Sequence, residues 1–325
     1  MTCCGNAAKF TTSFIKCDCN RIGFMLQTFH EKNRNLIVNL NGQLVHRDAA
    51  GVSPFDSVVQ GGDAVWEGLR LYHGKIFRLR EHLDRLRRSA QALAFAEIPS
   101  HEQITTELRR TLEANQMRHD VHVRLTLTRG VKITSGMDPR LNQSGPTLII
   151  LAEHKPPVYD RRGITLMTSS IRRSPPDCLD PRIHHNNLLS SILAKIEANA
   201  AGADDALMLD YRGLIAETNA THVFAVLAGV VTTSRVVACP EGITRGVVLE
   251  ICRQENLPHA ERDWSLAELY AAEEAFCTGT MGEIVPVVKV DGRWIGAGAG
   301  PGSVGERISA LFRRRTEVEG EPVIG

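Results

Sequence analysis

The apolar residues change period several times along the chain, and each change marks an element. Leu36-Ile37-Val38-Asn39-Leu40 reads as a strand, Asn41-Gly42 as a hairpin turn and Gln43-Leu44-Val45 as the return. Ala64 to Tyr72 alternates as a strand, His73-Gly74 turns, and Lys75-Ile76-Phe77 returns. From Arg80 to Phe95 the spacing becomes helical, with Leu83, Leu86, Ala90 and Leu93 on one face and Arg85, Arg87 and Arg88 on others. Ser100 and Gln103 form a capping-box pattern ahead of a second helix whose inward face is Ile104, Leu108 and Leu112. Val121 to Thr128 alternates again, and Thr147 to Ala152 has the continuous apolar character of a buried strand.

Between Glu153 and Arg162 the chain turns polar and carries Pro156-Pro157, which predicts a linker. Beyond it come a strand at Ile164 to Ser169 and the stretch Asp180 to Lys195, where a histidine pair leads into a helix that stops at Gly202. The strand Ala206 to Leu209, the segment Leu214 to Glu217 and a strand pair around Ala228-Gly229 follow. A helix from Pro240 through Gln254, a capping box at Ser265 and Glu268, a strand at Glu274 to Thr278 and a small-residue loop at Gly279 to Gly282 come next. A hairpin at Asp291-Gly292 and a basic helix ending near Arg315 complete the pattern. The order predicts an α/β chain with an N-terminal tail over 1–34, a small α/β domain over 35–152 and a linker over 153–162. A large domain over 163–316 and a C-terminal tail over 317–325 follow.

A length of 325 residues with 43% apolar and 23% charged side chains suits a globular chain of two domains. A formal charge of +1 argues against nucleic acid or an anionic membrane as partner, and favours a small neutral or zwitterionic ligand. No apolar run approaches the roughly 18 residues of a membrane span. Eight cysteines without a Cys-x-x-Cys pair predict reduced thiols and a cytoplasmic setting. Met1 to Phe24 faintly resembles an organelle transit peptide, but a disordered tail or a true start at Met25 fits its composition better.

Two loops suit an anion: Gly242-Ile243-Thr244 at a helix start and Gly279-Thr280-Met281 after a strand, each offering backbone amides and a threonine hydroxyl. Either alone also reads as an ordinary helix cap. Glu217, at the end of an aliphatic strand, reads equally as a satisfied strand-end carboxylate or as the partner of a protonated ring nitrogen. His184 and His185 are adjacent with no third ligand evident, so no metal site is expected.

The order of motifs resembles the class IV family of pyridoxal phosphate enzymes, which includes branched-chain and D-amino-acid aminotransferases. The likeness runs from about Asn35 to Arg315. It rests on Val65-Trp66-Glu67-Gly68-Leu69-Arg70, Glu81 to Leu86, Leu193 to Ala198, Glu217-Thr218-Asn219-Ala220-Thr221, Gly242-Ile243-Thr244-Arg245 and Gly279 to Val287. The resemblance implies a two-domain α/β fold with the cofactor in the interdomain cleft, a homodimer, and an amino acid and a 2-oxo acid as substrates. It further implies that Arg85, Ile243, Thr244, Gly279 and Thr280 hold the cofactor phosphate and that Glu217 pairs with the pyridine nitrogen. Arg124 matches a carboxylate-side arginine of the L-branched-chain enzymes, and Arg129 matches the arginine that binds the substrate carboxylate in the D-amino-acid enzymes. Trp66 and its neighbours lean toward the branched-chain group.

One position departs from the family. The lysine that forms the Schiff base falls, by this alignment, on His184. Imidazole cannot form that imine but can move protons near neutral pH. Arg182 stays protonated, and Lys195 lies about three helical turns further along, so neither supplies the amine. Two functions follow as expectations: an aminotransferase that holds pyridoxal phosphate without a covalent bond and uses His184 as proton carrier, or a cofactor-binding pseudoenzyme without turnover. A second, milder departure is His222, where asparagine is usual in the family.

Overall fold

The structure is a computed structural model that describes residues 29–296 and 302–325. The predicted N-terminal tail and Met25 lie largely outside these residues. An antiparallel sheet and a mixed sheet carry the chain. The first has seven strands, six of them early: β1 (Ile37–Leu40), β2 (Gln43–His46), β3 (Ala64–Tyr72), β4 (Lys75–Ile76), β5 (Val121–Thr128) and β6 (Thr147–His154). Antiparallel pairing of β3 with β5 runs from Ala64 opposite Thr128 to Leu71 opposite Val121. The second sheet has nine strands: β7 (Ile164–Thr168), β8 (Asp205–Leu209), β9 (Ile215–Thr218), β10 (His222–Leu227), β11 (Val230–Thr233), β12 (His259–Glu261), β13 (Glu274–Gly279), β14 (Glu283–Val290) and β15 (Arg293–Trp294).

Each sheet is covered by helices placed by the apolar periodicity. α1 (Ser57–Gly61) is a short turn at the entrance to β3, while α2 (Leu79–Ala92) and α3 (His101–Ala114) lay Leu83, Leu86, Ile104, Leu108 and Leu112 against the first sheet. Ser100 and Gln103 make the reciprocal capping bonds that their spacing predicts. On the second sheet, α4 (Leu189–Ala201) packs Ala194 and Ala198 against β8 and ends at Gly202 in a left-handed conformation. α5 (Ile243–Gln254) and α7 (Ser303–Val318) join Phe224, Phe276 and Ile308 in a further core, with the short α6 (Leu266–Tyr270) capped by Ser265 and Glu268.

Two expectations are corrected. Residues 317–325 are not a tail: β16 (Glu321–Pro322) pairs with β4, and Val323 is buried in the first core. The last residues therefore return across the molecule to the first sheet, and a two-residue strand has too little periodicity to be read from sequence. Nor does His184 sit at a helix start. It belongs to a loop that pairs antiparallel with β3, where Trp66 N–H donates to the His184 carbonyl at 3.0 Å and Asn186 N–H donates to the Ala64 carbonyl at 2.8 Å. Pro181 holds the preceding Asp180 away from the helical region at the head of this loop, and the helix begins only at Leu189. Among the described residues no helix is long and apolar enough to cross a membrane.

Candidate active site

The middle of β3 and the first turns of α2 build one wall of a cleft between the sheets. Glu67 is fully buried in β3, and its carboxylate takes a forked pair from Arg85, with Nε at 2.8 Å and an Nη at 2.6 Å. His82, on the same α2 face as Arg85, adds Nδ1 at 2.7 Å. Burial opposes charge on Glu67, but Arg85 and His184, through charge and hydrogen bonds, hold its carboxyl well below the usual range. Arg85 also donates to the Glu241 carbonyl at 2.7 Å, which joins this wall to the loop before α5.

His184 closes the same corner. Its backbone amide donates to Ser89 Oγ at 3.0 Å, its ring stacks on Trp66 with centroids 4.4 Å apart, and Nδ1 bonds the Trp66 carbonyl. Burial and the Arg85 charge push the imidazole pKa down, with Glu67 and the Trp66 carbonyl opposing. Trp66 Nε1 donates to the His185 carbonyl at 3.0 Å, so the loop is stitched to the strand at His184 and at the residue after it.

The opposite wall comes from the second sheet. Glu217 of β9 is buried and faces Arg173, with Oε1 2.8 Å from a guanidinium nitrogen, and His222 lies 4.0 Å from the other oxygen. Desolvation raises the Glu217 pKa to about 7 against the pull of Arg173 and Arg85. His222 is pushed well below its usual value by burial and then by Arg245, Arg85 and Arg173, so its ring is neutral. Gly242 caps α5 without a side chain, and a Cβ there would come within 2.3 Å of the His222 ring. That position therefore needs glycine for space. The first amides of α5 and Arg85 share a cleft of about 580 Å³ with Thr244, Gly279 and Thr280.

This is an arrangement suited to a phosphate on a protonated aromatic ring. An uncapped helix start, a buried arginine and two threonines serve the anion, and a buried carboxylate serves the ring nitrogen. The residues present thus fit pyridoxal phosphate.

The cleft brings together His184, Glu217, Arg85, Ile243, Thr244, Gly279, Thr280 and Trp66. Arg124 and Arg129 are not among the residues that line it. Arg124 stacks 3.5 Å over the Trp66 ring and donates to Asn186 Oδ1 at 2.6 Å, so it braces the loop from behind the wall. Arg129 is held by Asp63 at 2.6 Å and by the Leu93 and Ala94 carbonyls, over the ring of Phe95. Arg173, His82, Tyr159 and the buried role of Glu67 were missing from the sequence reading. A single acid in an otherwise apolar strand was the signal available for Glu67, whereas nothing local marks Arg173. Lys195 does line the cleft, but it pairs with Asp205 at 3.3 Å.

Comparison with known proteins agrees with this geometry. The profile of the family described as Amino-transferase class IV matches residues 64–290. The Arabidopsis thaliana protein named branched-chain-amino-acid aminotransferase-like protein 2 is 52% identical over 293 residues, which are 90% of this chain and 52% of that protein. The chain thus spans about half the length of the Arabidopsis relatives it matches. The branched-chain-amino-acid aminotransferase of Pseudomonas aeruginosa is 32% identical over 86% of this chain and 92% of its own length. Among solved structures, the branched-chain aminotransferase of the archaeon Thermoproteus uzoniensis with norvaline aligns with a TM-score of 0.80 and 29% identity. That match covers 88% of this chain and 96% of that one. Family profile, relatives and fold agree: the chain belongs to the class IV aminotransferase family, with branched-chain aminotransferase-like relatives.

Proposed function

We propose that the protein is a pyridoxal phosphate-dependent aminotransferase that moves an amino group between an α-amino acid, with branched-chain L-amino acids favoured, and a 2-oxo acid. The observation that carries this reading is the convergence of Arg85, the start of α5, Thr280, Glu217 and His184 on one cleft. When bound, the cofactor supplies an electron sink for the substrate α-carbon. Arg85, the Ile243 and Thr244 amides and Thr280 bind its phosphate, with Gly279 leaving room for the loop. Glu217, kept near Arg173, holds the ring nitrogen protonated. His184 carries a proton through Nε2, since its Nδ1 is committed to the Trp66 carbonyl. Trp66, Leu188, Ile192, Ile196 and Met281 form an apolar wall that suits an aliphatic substrate side chain.

The cofactor is held without a covalent bond to the chain, because His184 stands at the position of the Schiff-base lysine and Lys195 is occupied by Asp205. The same observation favours a second reading, a cofactor-binding protein without turnover. A homodimer in the cytoplasm is the setting proposed for either. Transamination with a panel of L- and D-amino acids and 2-oxo acids decides between them. Turnover with branched-chain L-amino acids that is lost in His184→Ala is the expected result. Cofactor binding with no turnover in any pair sinks the aminotransferase and leaves the binding protein.

A further inference from the structure

The His184 imidazole is held in one tautomer. Its Nδ1 has the Trp66 carbonyl as bonding partner and Glu67 Oε1 at 3.4 Å, and both are acceptors, so the ring proton belongs on Nδ1. Nε2 has no bonding partner among the described residues, and the side chain, 16% exposed, lines the cleft. Burial and the nearby Arg85 charge keep the ring neutral at neutral pH, with Glu67 pulling the other way. The cleft therefore presents a lone pair at the position where the family resemblance implies the Schiff-base amine.

A lone pair discriminates between the two forms of the cofactor. An aldehyde oxygen is an acceptor only, and set against Nε2 it places two lone pairs face to face. A primary amine or ammonium offers N–H donors to the same atom, and a charged donor makes the stronger bond. The usual means of retaining the aldehyde is also missing: Lys195, the lysine that lines the cleft, gives its ammonium to Asp205 and to the Asp204 carbonyl.

Building on the cofactor reading above, we infer that the cleft is a selective site for the amine form of the cofactor, pyridoxamine phosphate, and that His184 Nε2 is the selecting atom. The aldehyde form is then a weakly held species, and the chain rests in the amine-loaded state ready for a 2-oxo acid.

Calorimetric titration of the purified full chain with pyridoxamine phosphate and, separately, with pyridoxal phosphate tests this without any assay of activity. The wild type is expected to bind the amine form about tenfold or more tightly than the aldehyde, the worth of one charge-assisted hydrogen bond. His184→Ala should bring the two affinities to within about threefold of each other, because the discriminating atom is gone while the phosphate contacts remain. His184→Lys should invert the preference and become covalently labelled when borohydride is added to its pyridoxal phosphate complex. Equal or tighter binding of the aldehyde by the wild type overturns the inference and leaves the cofactor reading intact. Failure of the wild type to bind either form overturns both.

Discussion

The two walls of the cleft hold their charges in opposite ways. On the first-sheet side, Glu67 is met by Arg85 through two bonds, by His82 and by His184, and its carboxyl stays ionised despite complete burial. On the second-sheet side, Glu217 is also buried but has one close cation, Arg173, and its pKa rises to about 7. A buried carboxylate with a full set of donors is a fixed charge, whereas one with a single partner is a titratable group. The fixed wall positions Arg85 and His184, and the titratable wall responds to what occupies the cleft. A protonated ring nitrogen would supply the second partner that Glu217 lacks.

Breaking the fixed wall should give the largest effect. Glu67→Gln keeps the size of the side chain but leaves the Arg85 guanidinium buried without its counter-charge, and removing one member of such a pair costs about 3–5 kcal/mol. Chemical denaturation of the cofactor-free protein should show that loss of unfolding free energy. A change under about 1 kcal/mol would mean that water or a neighbour takes over from the carboxylate, and that the wall is not fixed.

Glu67 also shows where sequence reading stops. Periodicity places β3, α2 and the capped start of α3, and motif order suffices to gather Arg85, Glu217, Thr244, Thr280 and His184 in one cleft. Each of those lies in a local signal: a helix face, a glycine turn or a strand end. What Glu67 does depends on α2 folding back across β3 so that Arg85 and His82 both face it, which no local pattern carries. The surroundings of Arg124 and Arg129 are hidden from the sequence for the same reason. Both look like free carboxylate binders in one dimension, and their actual partners, Asn186 and Asp63, are set by the loop and by α1. Arg173 comes to Glu217 from an irregular segment, so no periodicity announces it.

The titratable wall is probed by pH. Folding raises the Glu217 pKa from 4.5 to about 7, so between these values the native state binds more protons than the unfolded chain. Unfolding free energy from this group is then fully present below the lower value and is lost as pH rises through the upper one, on the order of a few kcal/mol in total. His222 and His184 act with the opposite sign, since their lowered pKa values cost stability as pH falls through the usual histidine range. Subtracting the profile of Glu217→Gln from that of the wild type isolates the carboxyl. A difference that declines between about pH 5 and about pH 8 is expected. A flat difference would show that Arg173 keeps Glu217 ionised throughout, and the contrast between the walls would disappear.

The smallest expected effect concerns how far the position of His184 in the fixed wall depends on α2. Ser89 Oγ accepts the His184 amide at 3.0 Å from a buried position on α2, and is the one bond that ties the His184 backbone to that helix. Ser89→Ala leaves the amide without a partner and should cost about 1 kcal/mol, with up to about 3 kcal/mol if no water replaces the hydroxyl. The ring is still held by the Trp66 carbonyl and by stacking on the Trp66 side chain, and the loop by the pairing of Trp66 and Asn186 with their β3 and loop partners. The tautomer of His184 should therefore survive, and its nitrogen resonances in heteronuclear NMR should keep the Nδ1-protonated pattern while stability falls. If both the stability and that pattern change, the position of His184 depends on α2 and the wall behaves as one unit. If the stability alone changes, β3 by itself orients the imidazole, and the bond from α2 serves stability only.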